Sequence, residues 1–218
     1  MAGRGAWIGT ATIAAAGALL SPAPANAADA PCELHLTAAG SLAVGTVKPN
    51  AFVKVTPPPP GGAVFTTANV AGAFDDAGLQ ALLPNAGALK IVRHAELVDL
   101  NKRKLDGTRL YASDARCYAD LVVDNTYAIL TDTVPKERLG LVTGAIVGNS
   151  RLITSFVLQS WRGDAGKPAT YRKKVDSPLA ATTADVAAGS DAARSDLVQA
   201  SAANLKQFAA FVAAKSAK

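Results

Sequence analysis

The sequence predicts an α+β fold, a mostly antiparallel sheet with two helices packed on one face, in a single domain. Three observations carry this. Cys117 to Leu130 alternates, with Cys117, Ala119, Leu121, Val123, Tyr127 and Ile129 on one face and Tyr118, Asp120, Asp124 and Thr126 on the other, which is the period of a strand with one dry and one wet side. Ser190 to about Lys215 carries an apolar stripe at helical spacing, Leu197, Ser201, Leu205, Phe208 and Val212. Between and around them, the elements run strand, helix, strand, long strand, hairpin, helix, an order that sets helices against a sheet.

Residues 1–27 read as a secretory signal peptide. Arg4 and the amino terminus form a positive start, Ala6 to Leu20 is an uncharged apolar run, and Ser21-Pro22 precedes the small-residue site Ala25-Asn26-Ala27. The run is shorter than the ~20 residues a membrane-spanning helix needs, so a cleaved leader is favoured over a retained anchor. The expected mature chain, 28–218, is then periplasmic or secreted, with no transmembrane segment. Its length allows one domain with a substantial core. The formal charge of +5 falls to +4 without Arg4, a mild excess that gives no support for nucleic-acid binding.

The first strand is Cys32 to Thr37, with Cys32, Leu34 and Leu36 inward and Glu33, His35 and Thr37 outward. The chain has two cysteines, and in an exported protein they form one disulfide, Cys32 to Cys117, placing this strand beside or across from the central one. Cys-x-x-Cys spacing is absent, so the bridge is structural. Ala51 to Thr56 is a short strand that ends at a Pro-rich loop, 57–62. Asn69 to Leu83 has helical spacing and is stopped by Pro84-Asn85. Leu89 to Arg93 is a core strand, and Asn101 to Gly107 is a charged turn or flap leading to the central strand. Leu139 to Val147 and Leu152 to Trp161 are expected to pair as a hairpin around Gly148-Asn149-Ser150. Tyr171 to Val175, with Arg172, Lys173 and Lys174, fits a charge-protected edge strand. Ala180 to Gly189 reads as a loose connection. Ser190 caps the closing helix.

The pair Cys32-Glu33-Leu34-His35 and Cys117-Tyr118-Ala119-Asp120-Leu121 resembles a group of uncharacterised exported proteins of Gram-negative bacteria, in which an early Cys-Glu-Leu-His is followed by a later Cys-Tyr-Ala-Asp/Glu-Leu. The element order over Leu89 to Ala214 is similar to the small envelope domains of the curli secretion channel subunit and the TolB amino-terminal domain. The resemblance implies envelope assembly or partner binding and carries over no catalytic residue. The expected chain lacks the curli subunit's lipid anchor, which argues against pore formation.

The side chains offer little for catalysis. Of the two histidines, His35 lies on the outward face of the first strand, and His94 follows a core strand near Arg93 and Glu96. No Gly-x-Ser-x-Gly elbow supports a Ser-His-Asp set, and no His-Glu-x-x-His or multi-cysteine spacing supports a metal. Asp120 and Asp124 would stand ~13 Å apart along a strand, wider than paired-carboxylate sugar chemistry uses. No catalytic, metal-binding or cofactor-binding residue is therefore expected. The candidate partner surface is the wet strand face, Tyr118, Asp120, Asp124 and Thr126, together with the basic loop Lys102, Arg103 and Lys104. The functional expectation is a non-enzymatic envelope protein that binds a partner protein or an anionic envelope polymer. Its alternatives are an envelope hydrolase of unrecognised type and an oligomeric subunit of a secretion complex.

Overall fold

A computed structural model describes residues 31–39, 42–47, 54–56, 64–100, 105–131, 134–135, 145–146, 150–162 and 166–217. The expected signal segment 1–27, the expected Pro-rich loop 57–62 and Lys102–Lys104 lie outside them. The described chain forms one compact α+β domain, as its sequence predicts.

The sheet is built on β5 (Cys117–Thr131). Along one side of it runs β8 (Arg151–Arg162), antiparallel from Cys117 opposite Arg162 to Ile129 opposite Arg151. Beyond β8, β9 (Ala169–Pro178) is antiparallel again and forms an edge. Along the other side of β5, β1 (Cys32–Ala38) and β2 (Leu42–Val47) lie end to end, both parallel to it. Outside β1 is β4 (Leu89–Arg93), parallel, and outside β2 is β3 (Lys54–Thr56), antiparallel. Antiparallel pairing dominates by length. The parallel step from β1 to β4 needs a crossover, which the helices between them supply.

That crossover is two helices where periodicity suggests one. Helix α1 (Thr67–Gly72) is capped by Thr66, whose side chain accepts from the Asn69 N–H. Helix α2 (Asp76–Gln80) has its own cap, Asp75, accepting from Gly78 N–H at 2.7 Å. A capping side chain inside the periodic stretch restarts the helix rather than continuing it. A second difference lies at 180–189: instead of a loose connection there is α3 (Thr183–Ala188), closed by a capping box between Thr182 and Asp185 and ended by Gly189 at φ 62°. The expected hairpin is also replaced. Strand β7 (Ala145–Ile146) pairs with β6 (Val134–Pro135) in a separate ribbon, while β5 and β9 occupy both edges of β8; residues 139–144 and 147–149 of the expected hairpin lie outside the described ones.

Helix α4 (Asp191–Ser216) starts at Ser190, which accepts from Ala193 N–H, and buries Leu197, Ser201, Leu205, Phe208 and Val212. With α1 and α2 it covers one sheet face, over Leu34 and Leu36 of β1, Ala119, Leu121 and Val123 of β5, and Leu152, Phe156 and Leu158 of β8. Phe156 and Phe208 stack at 4.9 Å. Asn204 ties the layers: its amide donates to Leu152 O and Thr154 Oγ1, and its Oδ1 accepts from Ser177.

The other face is not open to water, which corrects the expectation for both strands. Residues 94–100 run along β1, with His94 N–H donating to Leu36 O and Val98 N–H to Ala38 O. Residues 105–116 then fold back as a strap, and Leu110 packs with Ala39, Val122 and Val157. Tyr118, Asp120, His35 and Thr37 are consequently buried.

The alternation along β5 also changes phase. A bulge between Val123 and Asn125 inserts one residue, so Thr126 and Ala128 become buried toward the helices. Thr154, opposite Thr126, receives the Asn204 bond, which fixes that side. Cys32 and Cys117 are joined by a disulfide with Cα atoms 4.5 Å apart, as adjacent parallel strands permit.

Candidate functional site

Two features stand out, a largely buried cluster of titratable side chains beneath the strap and an open saddle across α1.

The cluster begins with the strand period. On β1, Glu33 and His35 point to the strap side, and on β5, Tyr118 and Asp120 do the same, because β1 and β5 are in parallel register with Glu33 opposite Tyr118 and His35 opposite Asp120. Asp120 anchors the strap. Its carboxylate accepts from Leu110 N–H at 2.9 Å and from the Tyr118 hydroxyl at 2.5 Å. That hydroxyl in turn accepts from Tyr111 N–H at 3.2 Å. Arg109 donates to Ser113 O at 2.6 Å and places its guanidinium 4.7 Å from the centre of the Tyr118 ring. Ser113 donates to Glu33, which also receives Lys90 at 2.8 Å.

The histidines meet in the middle. His35 Nδ1 and His94 Nε2 are 2.9 Å apart, and His35 Nε2 lies 3.4 Å from Glu33 Oε2. Tyr111 lies flat on His94, with ring centroids 3.4 Å apart, and Tyr118 is 4.8 Å from His35. Trp161 of β8 meets Tyr118 edge-on.

Burial and charge set the proton affinities. Hydrogen bonds from Lys90 and Ser113 hold the Glu33 carboxyl down at about 2. Burial, then the neighbouring His35, pushes His94 below the ordinary histidine value. Burial pushes Asp120 up against the lowering effect of the Tyr118 and Leu110 bonds. Burial and Asp120 together push the Tyr118 hydroxyl well above its usual range.

The arrangement can hold a segment of chain and respond to protons, but access is another matter. Three cavities, of about 490, 360 and 240 Å³, open on the described surface; none of these is lined by Glu33, His35, Tyr118 or Asp120, and His94 alone of the bonded pair lines the smallest. Among the described residues, no three His, Cys, Asp or Glu side chains gather as a metal site. None of the helices there is long and apolar enough to cross a membrane.

The saddle joins two of those cavities. The largest is lined by Ala68 and Gly72 of α1 and Ala73, which follows it, with Leu197, Val198 and Arg194 of α4. The smallest is lined by Leu36, Ala68, Ala71 and Gly72 with Arg93 and Leu97. Ala68 and Gly72 belong to both, so the small exposed face of α1 forms the ridge between two pits. Leu97 and Val198, 53% and 50% exposed, are the large hydrophobic side chains left in water among the described residues, and each stands at one pit. Each pit also carries an arginine. Arg93 is bonded to Asp76 and Phe74 O, and Arg194 to Gly189 O.

The expected surface is thus redistributed. Tyr118, Asp120 and Thr126 are interior, while Asp124 is half-buried beside the bulge. Lys102, Arg103 and Lys104 lie outside the described residues, although Arg172 of the second basic cluster reaches Leu105 O, next to them. His35 and His94, expected to be solvated or hydrogen-bonded, are bonded to each other. Sequence reasoning passed over Tyr111, Ser113, Leu97 and Val198. Neither Leu97, which is followed by Val98, nor Tyr111 had a readable signal, because the place of each depends on how residues 94–116 fold back over the sheet.

No family model matches this chain, and no curated protein matches it. Among solved structures, it is similar to a Xanthomonas campestris protein described by the family model DUF330, at 9% identity over 86% of this chain and 89% of that one, with a TM-score of 0.38. It is also similar to an uncharacterized protein, at 12% identity over 85% and 92% of the two chains, with a TM-score of 0.35.

Proposed function

We propose that this chain is an exported, non-enzymatic envelope protein that binds or assembles with another envelope protein, and that the partner docks on the saddle across α1. The observation that carries the reading is the coincidence of Leu97 and Val198 with the two pits flanking a ridge of small residues. Contiguous exposed hydrophobic surface rimmed by polar residues marks contact sites, and the two pits with their shared α1 ridge join Leu97 and Val198 into one such surface. Arg194 beside the larger pit, bonded to a backbone carbonyl, favours an acidic group on the partner. The leader-like start and the disulfide support export. The engagement of Glu33, His35, Tyr118 and Asp120 with one another and with the strap supports a structural role for these groups rather than a hydrolytic one.

The test is crosslinking and affinity recovery of the mature protein from its own envelope fraction, repeated with Leu97→Asp and Val198→Asp. Both residues are exposed, so each variant is expected to keep its stability within about 0.5 kcal/mol. The expected result is a stoichiometric protein partner, or an ordered oligomer of this chain, lost at least tenfold in either variant. Recovery of the protein alone as a monomer, or a partner indifferent to both substitutions, overturns the reading and moves weight to a small ligand or a hydrolase.

A further inference from the structure

We infer that the strap 105–116 is an acid-released cover, seated through Tyr111 on a His35–His94 pair that joins β1 to the segment after β4. His94 also lines the smaller pit of the saddle, but the inference does not rest on a partner docking there. It rests on the geometry of two imidazoles whose facing nitrogens are 2.9 Å apart. One proton must lie between them for the contact to be a hydrogen bond, since two lone pairs or two N–H groups would repel. With Glu33 near His35 Nε2, the fitting tautomer places a proton there, and His94 Nε2–H donates to His35 Nδ1. A first added proton can go to His94 Nδ1 and leave that bond intact. A second must go to His35 Nδ1, and then two N–H groups and two positive charges face each other at a contact that is buried on the His35 side and half-buried on the His94 side.

The surroundings decide which groups respond. Glu33 on β1 is held at about 2 and stays charged throughout the histidine range, with Lys90 of β4 paired to it. Glu96, following β4, favours the charged form of His94, but burial and His35 outweigh it. Arg109 on the strap, stacked on Tyr118, adds positive charge rather than relieving it. Asp120 on β5 faces His35 but is already committed to Tyr118 and Leu110. Tyr111 of the strap lies flat on His94, so separating the histidines removes its seat. The strap's bonds at Leu110 and Tyr111 are the next to open.

Burial and His35 hold the first proton, on His94, below the ordinary histidine value, and release awaits the second, so it falls at lower pH still. The sign agrees with linkage: a histidine whose folded value is lowered supports the closed form above 6.5 and withdraws that support as pH falls through the lower value. Opening would expose Asp120 and Gln159, whose amide oxygen is buried without a hydrogen-bond partner.

The test is amide hydrogen exchange of the mature protein from pH 8 to pH 5, corrected for intrinsic rates. Protection at Leu110 and Tyr111 is expected to fall by about tenfold per pH unit below the release midpoint, while amides of α4 keep theirs. His94→Gln retains a donor to His35 Nδ1 but cannot take up a proton, and is expected to flatten the response. Constant protection down to pH 5, an equal loss in His94→Gln, or parallel loss in α4 overturns the inference. Should His94→Gln fail to fold, imidazole NMR titration of the unmodified protein decides. Two coupled steps, the second coinciding with strap exchange, support the latch; two independent titrations near 6.5 overturn it.

Discussion

At the residue scale, Asp120 shows how much one acceptor can organise. It has no exposed surface, yet it takes two donors, Leu110 N–H from the strap and the Tyr118 hydroxyl from its own strand. Removing it leaves both unpaired in a dry layer. Asp120→Ala is expected to lower the unfolding free energy by about 2 to 3 kcal/mol, and Asp120→Asn, which keeps one acceptor, by about 1 kcal/mol. The pH dependence separates charge from bonding. Burial raises the folded value of this carboxyl above 3.8, so its proton-linked support is fully present below 3.8 and is lost as pH rises through the raised value. Asp120→Asn should remove that slope, as measured by urea unfolding at a series of pH values. Asp120 was legible as a strand residue, but a β-period shows only which side chains share a face. It cannot show whether something returns to cover that face.

At the element scale, the two glycines around the helix break behave in opposite ways. A Cβ on Gly78 would stand 2.9 Å from Asp75 Oδ1 and 2.9 Å from Leu205 Cδ2, against the cap of α2 and the side of α4. A Cβ on Gly72 would meet nothing within 4 Å. Alanine is the better helix former by about 1 kcal/mol, so Gly72→Ala is expected to be neutral or stabilising by up to that amount. Gly78→Ala is expected to destabilise by about 1 to 2 kcal/mol despite the same intrinsic gain. Thermal midpoints of the two variants decide it, with a stabilised Gly78→Ala contradicting the packing of α2 on α4. The long helix α4, with its Ser190 cap and apolar stripe, and the edge strand β9 were both readable in the sequence, because each is specified by its own period and composition. The two-helix crossover was only partly so. Its apolar spacing was visible, but whether Asp75 caps a new helix or lies exposed on a continuing one depends on how the following turn packs on α4.

At the scale of the molecule, the disulfide closes the longest local constraint. Cys32 and Cys117 are 85 residues apart in sequence, and both begin strands that lie side by side. In the chain-entropy model, closing a loop of that length in the unfolded chain stabilises the fold by about 4 to 5 kcal/mol. Reduction is expected to lower the urea midpoint accordingly without changing the far-ultraviolet dichroism of the folded protein. A midpoint unmoved by reduction would mean that the unfolded chain is already held compact by other means. The bond also fixes the register in which Glu33 meets Tyr118 and His35 meets Asp120, and so brings the latch residues together.

The sequence by itself determined the class of the fold, the disulfide and the closing helix, because local period, caps and a lone cysteine pair specify these with little help from distant residues. Only the tertiary structure decided what happens to the second sheet face. The strap joins residues far from β1 in sequence, and its bonds to Asp120, Tyr118 and Glu33 replace the water that polar side chains on a strand would otherwise imply. The same long-range packing left Leu97 and Val198 outside. Whether an aliphatic side chain is core or contact surface is a property of what surrounds it after folding, and no spacing along the chain encodes that.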